Sequence, residues 1–394
     1  MALPKVLVLV LAGGKGSRLE LLTETRAKPA VPFAGVYRLV DFPLSNCEHS
    51  GIADVWVSVQ YQPQSLSEHL ANGRPWDLDR TTGGLMMLPP FQGSERGGFT
   101  EGTADGLWRQ AELIRQHAPD ALVVVSSDAV YKLDYREVVD AHLASDAEVT
   151  MVTTEVERDD AARYGIVQVD DEGRVTDYAY KPDEPATTTA TNEVFVFSPT
   201  ATLDRLEALA ATVGEDGLED LGNHLLPAQT KDGLARAYPL QGYWRDVGTV
   251  ESYWQAHQDF LLPDPPIDLD ERSWPVHTRG GRHSAARVLA GGNVDGSLVS
   301  GGTRVAGTVR GSVLSPGVVV EEGATVVDSV LLPGVHVRAG ATVTRAVLAD
   351  GVVVGERATV GGDGDITLVG RSATVPDGGE VPAGGRLPEP ESGR

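Results

Sequence analysis

The sequence contains very little cysteine and no long apolar run. Cys47 is the only cysteine among 394 residues, which excludes an internal disulfide and a metal cluster built from several thiolates. Such sparing use of cysteine is typical of a reducing compartment, so we expect a cytoplasmic location. No apolar run approaches the roughly 20 residues that cross a bilayer. The first apolar run ends in glycines rather than in a cleavage site, so we expect a buried first strand instead of a signal peptide.

Positive charge is also scarce. Lysine and arginine number 33 against 56 aspartate and glutamate residues, which gives a formal net charge of -23 at pH 7. Duplex nucleic acid and anionic membranes bind to positive fields, so we expect neither as a partner. Any site for a phosphate must therefore be a local cluster of cations.

Short valine-rich runs alternate with helix-length segments between residues 5 and 255. Examples are VLVLVLA at 6–12, DVWVSV at 54–59 and ALVVVSS at 121–127. Continuous apolar strands separated by helices predict an α/β fold, in which a mainly parallel, Rossmann-like sheet is covered on both faces. Ligands of such sheets bind at the carboxyl ends of the strands.

A repeat of 17 residues marks the C-terminal part of the chain. Valine or alanine recurs at this step in several columns: Val318, Val335 and Val352; Val320, Val337 and Val354; Ala324, Ala341 and Ala358; Val326, Val343 and Val360. So regular a period indicates a stacked solenoid, and the spacing inside each repeat predicts three short faces, as in a parallel β-helix. A β-sandwich rich in glycine and valine is the alternative, but it does not predict the same 17-residue spacing at so many valine and alanine positions.

A stretch rich in proline and acidic residues, 261–270, separates the two patterns. We therefore expect an α/β domain at 1–260, a linker at 261–285 and a β-helix at 286–373. The last residues, 374–394, contain few apolar side chains, and we expect them to form a disordered tail.

The stretch VLAGGKGSRLELLTETRAKPAVPF, residues 10–33, concentrates glycines and cations after the first strand. It is not a Walker loop, because Lys15 precedes Gly16 and no Lys-Ser or Lys-Thr pair follows. It is not a dinucleotide fingerprint either, since Leu19 occupies the position of the third glycine. What remains is a glycine turn followed by Arg18 and Lys28, which can supply charge-assisted hydrogen bonds to a phosphate.

These residues resemble the signature of sugar-nucleotide pyrophosphorylases, L-x-G-G-x-G-[ST]-R-L followed by K-P. Further stretches are similar to the bacterial ADP-glucose pyrophosphorylases, or glucose-1-phosphate adenylyltransferases: RAKPAVPFAGVYRLVDFPLSNCEHSGI at 26–52, EGTADGLWRQ at 101–110 and GYWRDVGTVESYWQAHQDFL at 242–261. The resemblance covers nearly the whole chain. It implies a nucleotidyltransferase domain, a left-handed β-helix and a homotetramer. The implied reaction joins ATP and glucose 1-phosphate into ADP-glucose and pyrophosphate, for glycogen biosynthesis.

The resemblance also implies a role for individual residues. Catalytic roles fall to Arg18, Lys28, Asp128 and Lys181, with Arg18 and Lys28 at the pyrophosphate portion of ATP. The nucleotide is held by Leu11, Ala12, Gly13, Gly14, Gly16, Gln60, Gly102 and Thr103. The sugar phosphate is bound by Gly165, Tyr180, Lys181, Thr191 and Glu193. The expected cofactor is Mg²⁺, held by Asp128 and Asp246, and carboxylate oxygens suit that ion.

Several positions depart from the family pattern. The usual G-D-H around the metal-binding aspartate is Ser127-Asp128-Ala129 in this sequence. Tyr180 stands where the family has the glutamate of E-K-P, and S-M-G becomes Thr191-Asn192-Glu193. Val36 occupies the position of a basic effector residue. The positions that the resemblance assigns to glucose therefore differ from the family pattern, whereas those that it assigns to the triphosphate are retained.

These departures leave alternatives open. The protein could act on a different sugar 1-phosphate, or it could be a non-catalytic regulatory subunit of an active paralogue. A solenoid acyltransferase is a weaker alternative, because no histidine-containing loop is placed as a catalytic base and His336 falls within a coil.

Overall fold

The computed structural model describes residues 3–89, 100, 102–214 and 217–389, and the chain forms two compact units. The first unit consists of Met1–Gly14 and Phe42–Trp244. The second consists of Lys15–Asp41 and Arg245–Arg394. Segment 15–41 therefore belongs with the C-terminal part of the chain, which differs from the expected domain at 1–260.

The helices of the described residues are α1 Asp41–His49, α2 Pro63–Leu70, α3 Thr103–Arg109, α4 Ala111–His117, α5 Tyr135–Leu143, α6 Pro199–Val213, α7 Leu225–Lys231 and α8 Val250–Asp259. Short 3-10 helices cover Ser17–Leu22, Lys28–Ala30, Arg74–Trp76 and Ala161–Arg163. Two helix starts are capped by side chains: Asp134 accepts from the Arg136 amide before α5, and Thr249 and Ser252 form a capping box at α8. None of the described helices is both long and apolar enough to span a membrane.

The strands before residue 250 are β1 Val6–Ala12, β2 Pro32–Phe33, β3 Tyr37–Arg38, β4 Asp54–Val59, β5 Gly84–Leu88, β6 Ala121–Ser126, β7 Ala129–Tyr131, β8 Val149–Glu155, β9 Gly165–Val169, β10 Val175–Tyr180, β11 Thr189–Phe197, β12 Ala235–Pro239 and β13 Trp244–Asp246. In the part of the first unit that is described, nine of them form one sheet, in the order β10-β9-β11-β6-β1-β4-β5, with β8 paired to β11 and β12.

The middle of this sheet is parallel, as the alternating strands and helices predict. Strand β1 pairs in parallel with β4 and β6, and β4 with β5. On the other side, β11 pairs antiparallel with β6 and β8, and β9 and β10 form an antiparallel pair. Side chains from both strands and helices fill the core, including Leu7, Leu9, Leu107, Ile114 and Leu206. Burial of both sheet faces explains why β1 is apolar throughout and β6 is apolar from Ala121 to Val125.

The solenoid of the second unit consists of three parallel sheets. Each has six strands within residues 287–387, one from each turn. The first sheet contains β14 Arg287–Val288, β17 Arg304–Val305, β20 Val319–Val320, β23 His336–Val337, β26 Val353–Val354 and β29 Thr374–Val375. The second contains β15 Asn293–Asp295, β18 Thr308–Arg310, β21 Thr325–Val327, β24 Thr342–Thr344, β27 Thr359–Gly361 and β30 Glu380–Val381. The third contains β16 Leu298–Val299, β19 Val313–Leu314, β22 Val330–Leu331, β25 Ala346–Leu348, β28 Thr367–Val369 and β31 Arg386–Leu387.

The valine and alanine side chains that recur every 17 residues point into the interior of this solenoid. Val320 is in register with Val337, and Val337 with Val354, and all three are buried. The three-sheet architecture is consistent with a left-handed β-helix, so the predicted fold class is confirmed.

The expectation of a disordered tail from residue 374 is wrong for the described residues 374–389. Strands β29, β30 and β31 continue the three sheets, and Val375 and Val381 are buried inside the solenoid. A coil needs only one inward apolar side chain on each face, so a segment rich in proline and glycine can still stack on its neighbour. Residues 390–394 of the expected tail lie outside the described part.

Candidate active site

The glycine turn follows β1 at the carboxyl edge of the sheet. Ala12, the last residue of β1, is in register with Val59 at the end of β4, directly before Gln60. A Cβ placed on Gly13 would lie 3.1 Å from the Gln60 side-chain oxygen, so a larger residue would crowd the glutamine. At Gly14 an added Cβ would meet no atom of the described residues within 4 Å. The turn thus leaves backbone accessible at Gly14, as a phosphate-binding loop requires.

Three of the residues expected to hold the nucleotide, Gln60, Gly102 and Thr103, are anchored to their surroundings. The buried Gln60 amide donates a 2.8 Å hydrogen bond to the Thr100 carbonyl and accepts one from the Thr100 hydroxyl. Gly102 has φ of +112°, and a Cβ there would lie 2.3 Å from the carbonyl carbon of Glu219. The Thr103 amide donates to Asp220 over 3.0 Å. Close packing against Glu219 therefore requires glycine at position 102, independently of the implied nucleotide contact.

Asp128 follows β6, next to the end of β1. The Ser126 hydroxyl donates to an Asp128 carboxylate oxygen. The Ser127 hydroxyl donates a 2.8 Å hydrogen bond to the Leu11 carbonyl. These serines tie the aspartate to the strand that leads into the glycine turn. The sequence departure from G-D-H marked this site, but the roles of the serine hydroxyls appear only in the structure.

In the second unit, Asp246 lies close to both Lys28 and Arg18. The Lys28 ammonium lies 3.8 Å from an Asp246 carboxylate oxygen, and Lys28 is buried. A Cβ on Gly248 would lie 2.6 Å from the second Asp246 oxygen and 3.3 Å from an Arg18 guanidinium nitrogen. The predicted cations and one predicted carboxylate are therefore neighbours. A buried lysine is stabilised in its charged form by such a carboxylate.

The Gly16 turn also shapes this cation cluster. Gly16 has φ of +67°, a conformation that favours glycine, and a Cβ there would lie 3.1 Å from the Lys28 Cβ. Glycine at this position lets the chain pass close to the stem of Lys28.

A hydrogen-bonded chain joins three side chains of the first unit near the predicted sugar-phosphate site. The Lys181 ammonium donates to the Tyr180 hydroxyl over 2.7 Å, and this hydroxyl donates to Asp220 over 2.7 Å. Lys181 also lies 4.4 Å from the centroid of the Tyr180 ring. Burial, followed by the hydrogen bond to Asp220, raises the pKa of the Tyr180 phenol, which therefore stays protonated and able to donate at pH 7.

Sequence reasoning missed Asp220, which lies 40 residues from Tyr180. Asp220 lies in the stretch LEDLG at 218–222. A Cβ on Gly222, two residues after Asp220, would lie 2.3 Å from a carbon of the Tyr180 ring. The glycine therefore makes room for the tyrosine that the aspartate binds.

Gly165, Thr191 and Glu193 lie close to Tyr178, which is two residues before Tyr180. The Thr191 hydroxyl donates to the Gly165 carbonyl over 3.3 Å, and a Cβ on Gly165 would lie 2.5 Å from the Tyr178 hydroxyl. Glu193 is exposed at φ of +62°, where the register of β11 shifts. Burial and, secondly, the charge of Glu193 raise the pKa of Tyr178. The residues predicted to bind the sugar phosphate thus form one tyrosine-rich cluster that carries an acidic side chain.

Comparison with known proteins identifies the family of the chain. The Nucleotidyl transferase family matches residues 7–261, and a GlmU-like C-terminal hexapeptide family matches 284–376. Among similar curated proteins, a glucose-1-phosphate adenylyltransferase of Bacillus thuringiensis is 37% identical over 82% of this chain and 86% of its own length. The chain belongs to the glucose-1-phosphate adenylyltransferase family.

Two further members of the family are similar over much of the chain. The glucose-1-phosphate adenylyltransferase of Thermotoga sp. strain RQ2 is 39% identical over 81% of this chain and 75% of its own length. That of Acetivibrio thermocellus is 34% identical over 96% of this chain and 91% of its own length. The family likeness thus extends through the β-helix.

Proposed function

We propose that this protein transfers the adenylyl group of ATP to glucose 1-phosphate, producing ADP-glucose and pyrophosphate for the synthesis of an α-glucan. The observation that carries the proposal is the match, over most of the chain, to several curated glucose-1-phosphate adenylyltransferases. The clustering of Arg18 and Lys28 beside Asp246 supports it, because this reaction needs cations at a polyphosphate.

The sugar phosphate is itself the nucleophile in this reaction. Its second pKa is about 6, so it is largely dianionic at pH 7 and needs no general base. The difficulty is to bring two anions together and to stabilise the charge that develops on the α-phosphate and the leaving pyrophosphate. Arg18 and Lys28 reduce that repulsion by fixed positive charge, and Lys181 orients the sugar phosphate for in-line attack.

Mg²⁺ is the cofactor that we propose. Asp128 and Asp246 supply carboxylate oxygens, the donors that this hard cation prefers. The bound ion would neutralise charge on the phosphates. Asp128 is oriented for this role by the Ser126 hydroxyl, and Asp246 lies beside the Lys28 ammonium.

The sugar end of the site supports a narrower alternative. Tyr180 occupies the position of the family glutamate, and its hydroxyl is already engaged by Lys181 and Asp220. A sugar hydroxyl that the family glutamate would bind therefore needs a different acceptor. The exposed Glu193 carboxylate is the candidate, because its charge acts on both Tyr178 and Tyr180. The same observation favours a different sugar 1-phosphate, or a regulatory subunit without turnover, as the second candidate function.

Assembly and location complete the proposal. We propose a homotetramer on the strength of the family resemblance, with a mixed assembly that includes a paralogous subunit as the alternative. A cytoplasmic location is supported by the free, buried Cys47, whose thiol pKa is raised by burial, so that it remains a thiol rather than a reactive thiolate.

The decisive experiment measures pyrophosphate release. The purified full chain is incubated with Mg²⁺, each common nucleoside triphosphate and a panel of sugar 1-phosphates. We expect the highest rate with ATP and glucose 1-phosphate. Selective turnover of another sugar 1-phosphate would replace the substrate assignment. Binding of ATP without release of pyrophosphate from any pair would favour the regulatory subunit.

A further inference from the structure

The segment that carries Arg18 and Lys28 is part of the same compact unit as the β-helix. Its first anchor is Glu20, two residues after Arg18. The Arg386 guanidinium binds Glu20 with two nitrogens, one of them 3.0 Å from a carboxylate oxygen. A bidentate pair of this kind fixes orientation as well as distance.

Arg386 is itself held by the last coils of the β-helix. Its NH1 group donates to the carbonyls of Ile366 and Gly384 over 2.7 and 3.0 Å. These bonds lock the guanidinium plane, so Glu20 meets a preoriented partner. Glu20 has φ of 51° and ψ of -126°, a backbone conformation that a residue other than glycine keeps only when its surroundings hold it.

The second anchor is Arg26, two residues before Lys28. Its buried guanidinium forms an ion pair with Asp350, which lies in a turn of the β-helix between β25 and β26. Each phosphate-binding cation is therefore two residues from a charged side chain that the β-helix holds. Such spacing leaves little freedom for Arg18 or Lys28 to move while the anchor stays in place.

Helix α8 adds a third connection. The Tyr253 hydroxyl donates to the Pro32 carbonyl over 2.5 Å, and the Trp254 indole donates to the Asp328 carbonyl over 2.7 Å. The Arg345 guanidinium lies 4.5 Å from the centre of the Trp254 ring. The helix thus contacts the end of the cation-bearing segment and a turn of the β-helix.

We infer that Glu20, Arg26, Asp350 and Arg386 are positioning residues, through which the β-helix holds Arg18 and Lys28 in the geometry that binds the triphosphate. The inference rests on the proposed function for the identity of the ligand. It assigns the β-helix an indirect part in binding ATP, because Asp350 and Arg386 of its later coils support the segment that carries Arg18 and Lys28.

The test compares Arg386→Gln and Asp350→Asn with Arg386→Lys and with a control, Arg357→Gln. Arg357 is exposed on the solenoid, and its nearest carboxylate is Glu356 at 4.0 Å. In each full-length variant, we measure kcat, KM for ATP, KM for the sugar phosphate, affinity for ATP, and hydrogen exchange of the amides at 17–40.

We expect Arg386→Gln and Asp350→Asn to lower kcat/KM for ATP by roughly ten- to a hundredfold, the loss typical of a small misplacement of catalytic groups. KM for the sugar phosphate should stay near the wild-type value, and exchange should accelerate at 17–40 but not in β1, β4 or β6. Arg386→Lys should recover part of the loss, and Arg357→Gln should behave as wild type. Glu20→Gln combined with Arg386→Gln should be no worse than either change alone.

Two results would overturn the inference. One is unchanged exchange at 17–40 together with unchanged kcat/KM for ATP in both variants. The other is an equal loss for both substrates with faster exchange throughout the chain, which indicates general destabilisation. If the wild-type protein releases no pyrophosphate, the proposed function fails, while affinity for ATP and exchange at 17–40 still decide whether these residues position the cations.

Discussion

The Tyr180 hydroxyl donates a hydrogen bond of 2.7 Å to the Asp220 carboxylate. The same oxygen accepts a 2.7 Å hydrogen bond from Lys181, the residue that the family resemblance places at the sugar phosphate. Asp220 in turn accepts from the Thr103 amide at the start of α3. A tyrosine at the family's glutamate position therefore serves to orient the lysine, a role that differs from direct binding of a sugar hydroxyl.

Tyr180→Phe should weaken binding of the sugar phosphate. The change removes the oxygen that orients Lys181 and leaves Asp220 without this donor, at a cost of about 1 to 2 kcal/mol. We expect KM for the sugar phosphate to rise roughly tenfold while KM for ATP changes little. Tyr238→Phe is the matched control, since its hydroxyl donates to Glu137 outside this cluster. An equal rise in both KM values would remove Tyr180 from the sugar site.

Lys181→Ala should have the larger effect of the two changes at this cluster. Loss of a charge-assisted contact to phosphate costs about 1.5 to 3 kcal/mol. We expect KM for the sugar phosphate to rise far more than KM for ATP, as measured by initial rates of pyrophosphate release. Arg163→Ala is a suitable control, because that half-buried cation pairs with Asp160 at 2.9 Å. Equal effects of Lys181→Ala on both substrates would contradict the assignment.

Asp128→Asn should lower turnover by orders of magnitude and leave the fold intact. The amide keeps the shape of the side chain but loses the negative charge with which we propose that it holds Mg²⁺. The measurements are the rate of pyrophosphate release across a Mg²⁺ titration and a thermal melt. Asp204→Asn, at an exposed aspartate paired with Arg115, controls for a general loss of charge. A near-normal rate with the usual Mg²⁺ dependence would assign the ion to another carboxylate.

The 17-residue repeat and the alternating strands and helices could both be predicted from the sequence, whereas individual side-chain pairs could not. The solenoid could be predicted because its inward residues repeat: Val320, Val337 and Val354 occupy equivalent positions in successive coils. The parallel strands around β1 could be predicted because burial on both faces leaves continuous apolar runs. The pairing of Tyr180 with Asp220 could not, since the two lie 40 residues apart and no periodicity connects them.

The extent of the β-helix was harder to predict for a physical reason. Its last coil has only Val375 and Val381 as buried valines, in a segment otherwise rich in proline, glycine and acidic residues. Composition measures the average of a segment, whereas a coil depends on one side chain per face. The association of segment 15–41 with the β-helix was also hard to predict. It depends on ion pairs between residues more than 300 positions apart in the sequence, such as Arg26 and Asp350.

Val337→Asp should destabilise the β-helix. Val337 is buried in the solenoid stack, and an unpaired carboxylate there costs several kcal/mol. We expect a lower melting temperature and a lower oligomeric state or poorer solubility by light scattering, as also expected for a chain truncated at Pro263. Thr342→Asp is the control, because Thr342 is exposed on β24. If Val337→Asp and the truncated chain keep the wild-type subunit count and solubility, the β-helix has no part in assembly.

The last prediction concerns acid stability and rests on His257 in α8. The buried imidazole donates from Nδ1 to the Tyr253 carbonyl over 2.8 Å and accepts at Nε2 from the Ala34 amide over 3.1 Å. Both nitrogens are thus used by the neutral ring, and protonation would break the bond from Ala34. Burial lowers the pKa of His257 from 6.5 to about 4, partly opposed by the bond to Tyr253.

Because the folded pKa of His257 is the lower one, the unfolded chain takes up the proton first. The contribution of neutral His257 to the free energy of unfolding is complete above pH 6.5. It is lost as the pH falls from 6.5 to about 4, and the total loss is on the order of 3 kcal/mol. We expect His257→Gln to be less stable than wild type at pH 7.5 and to lose less stability between pH 7.5 and 5, measured by calorimetric melts. His142, whose pKa burial also lowers to about 4, lies in the other unit, so His142→Gln reports the same effect independently. A His257→Gln melt that shifts with pH as steeply as wild type would show that other groups govern acid unfolding of the second unit.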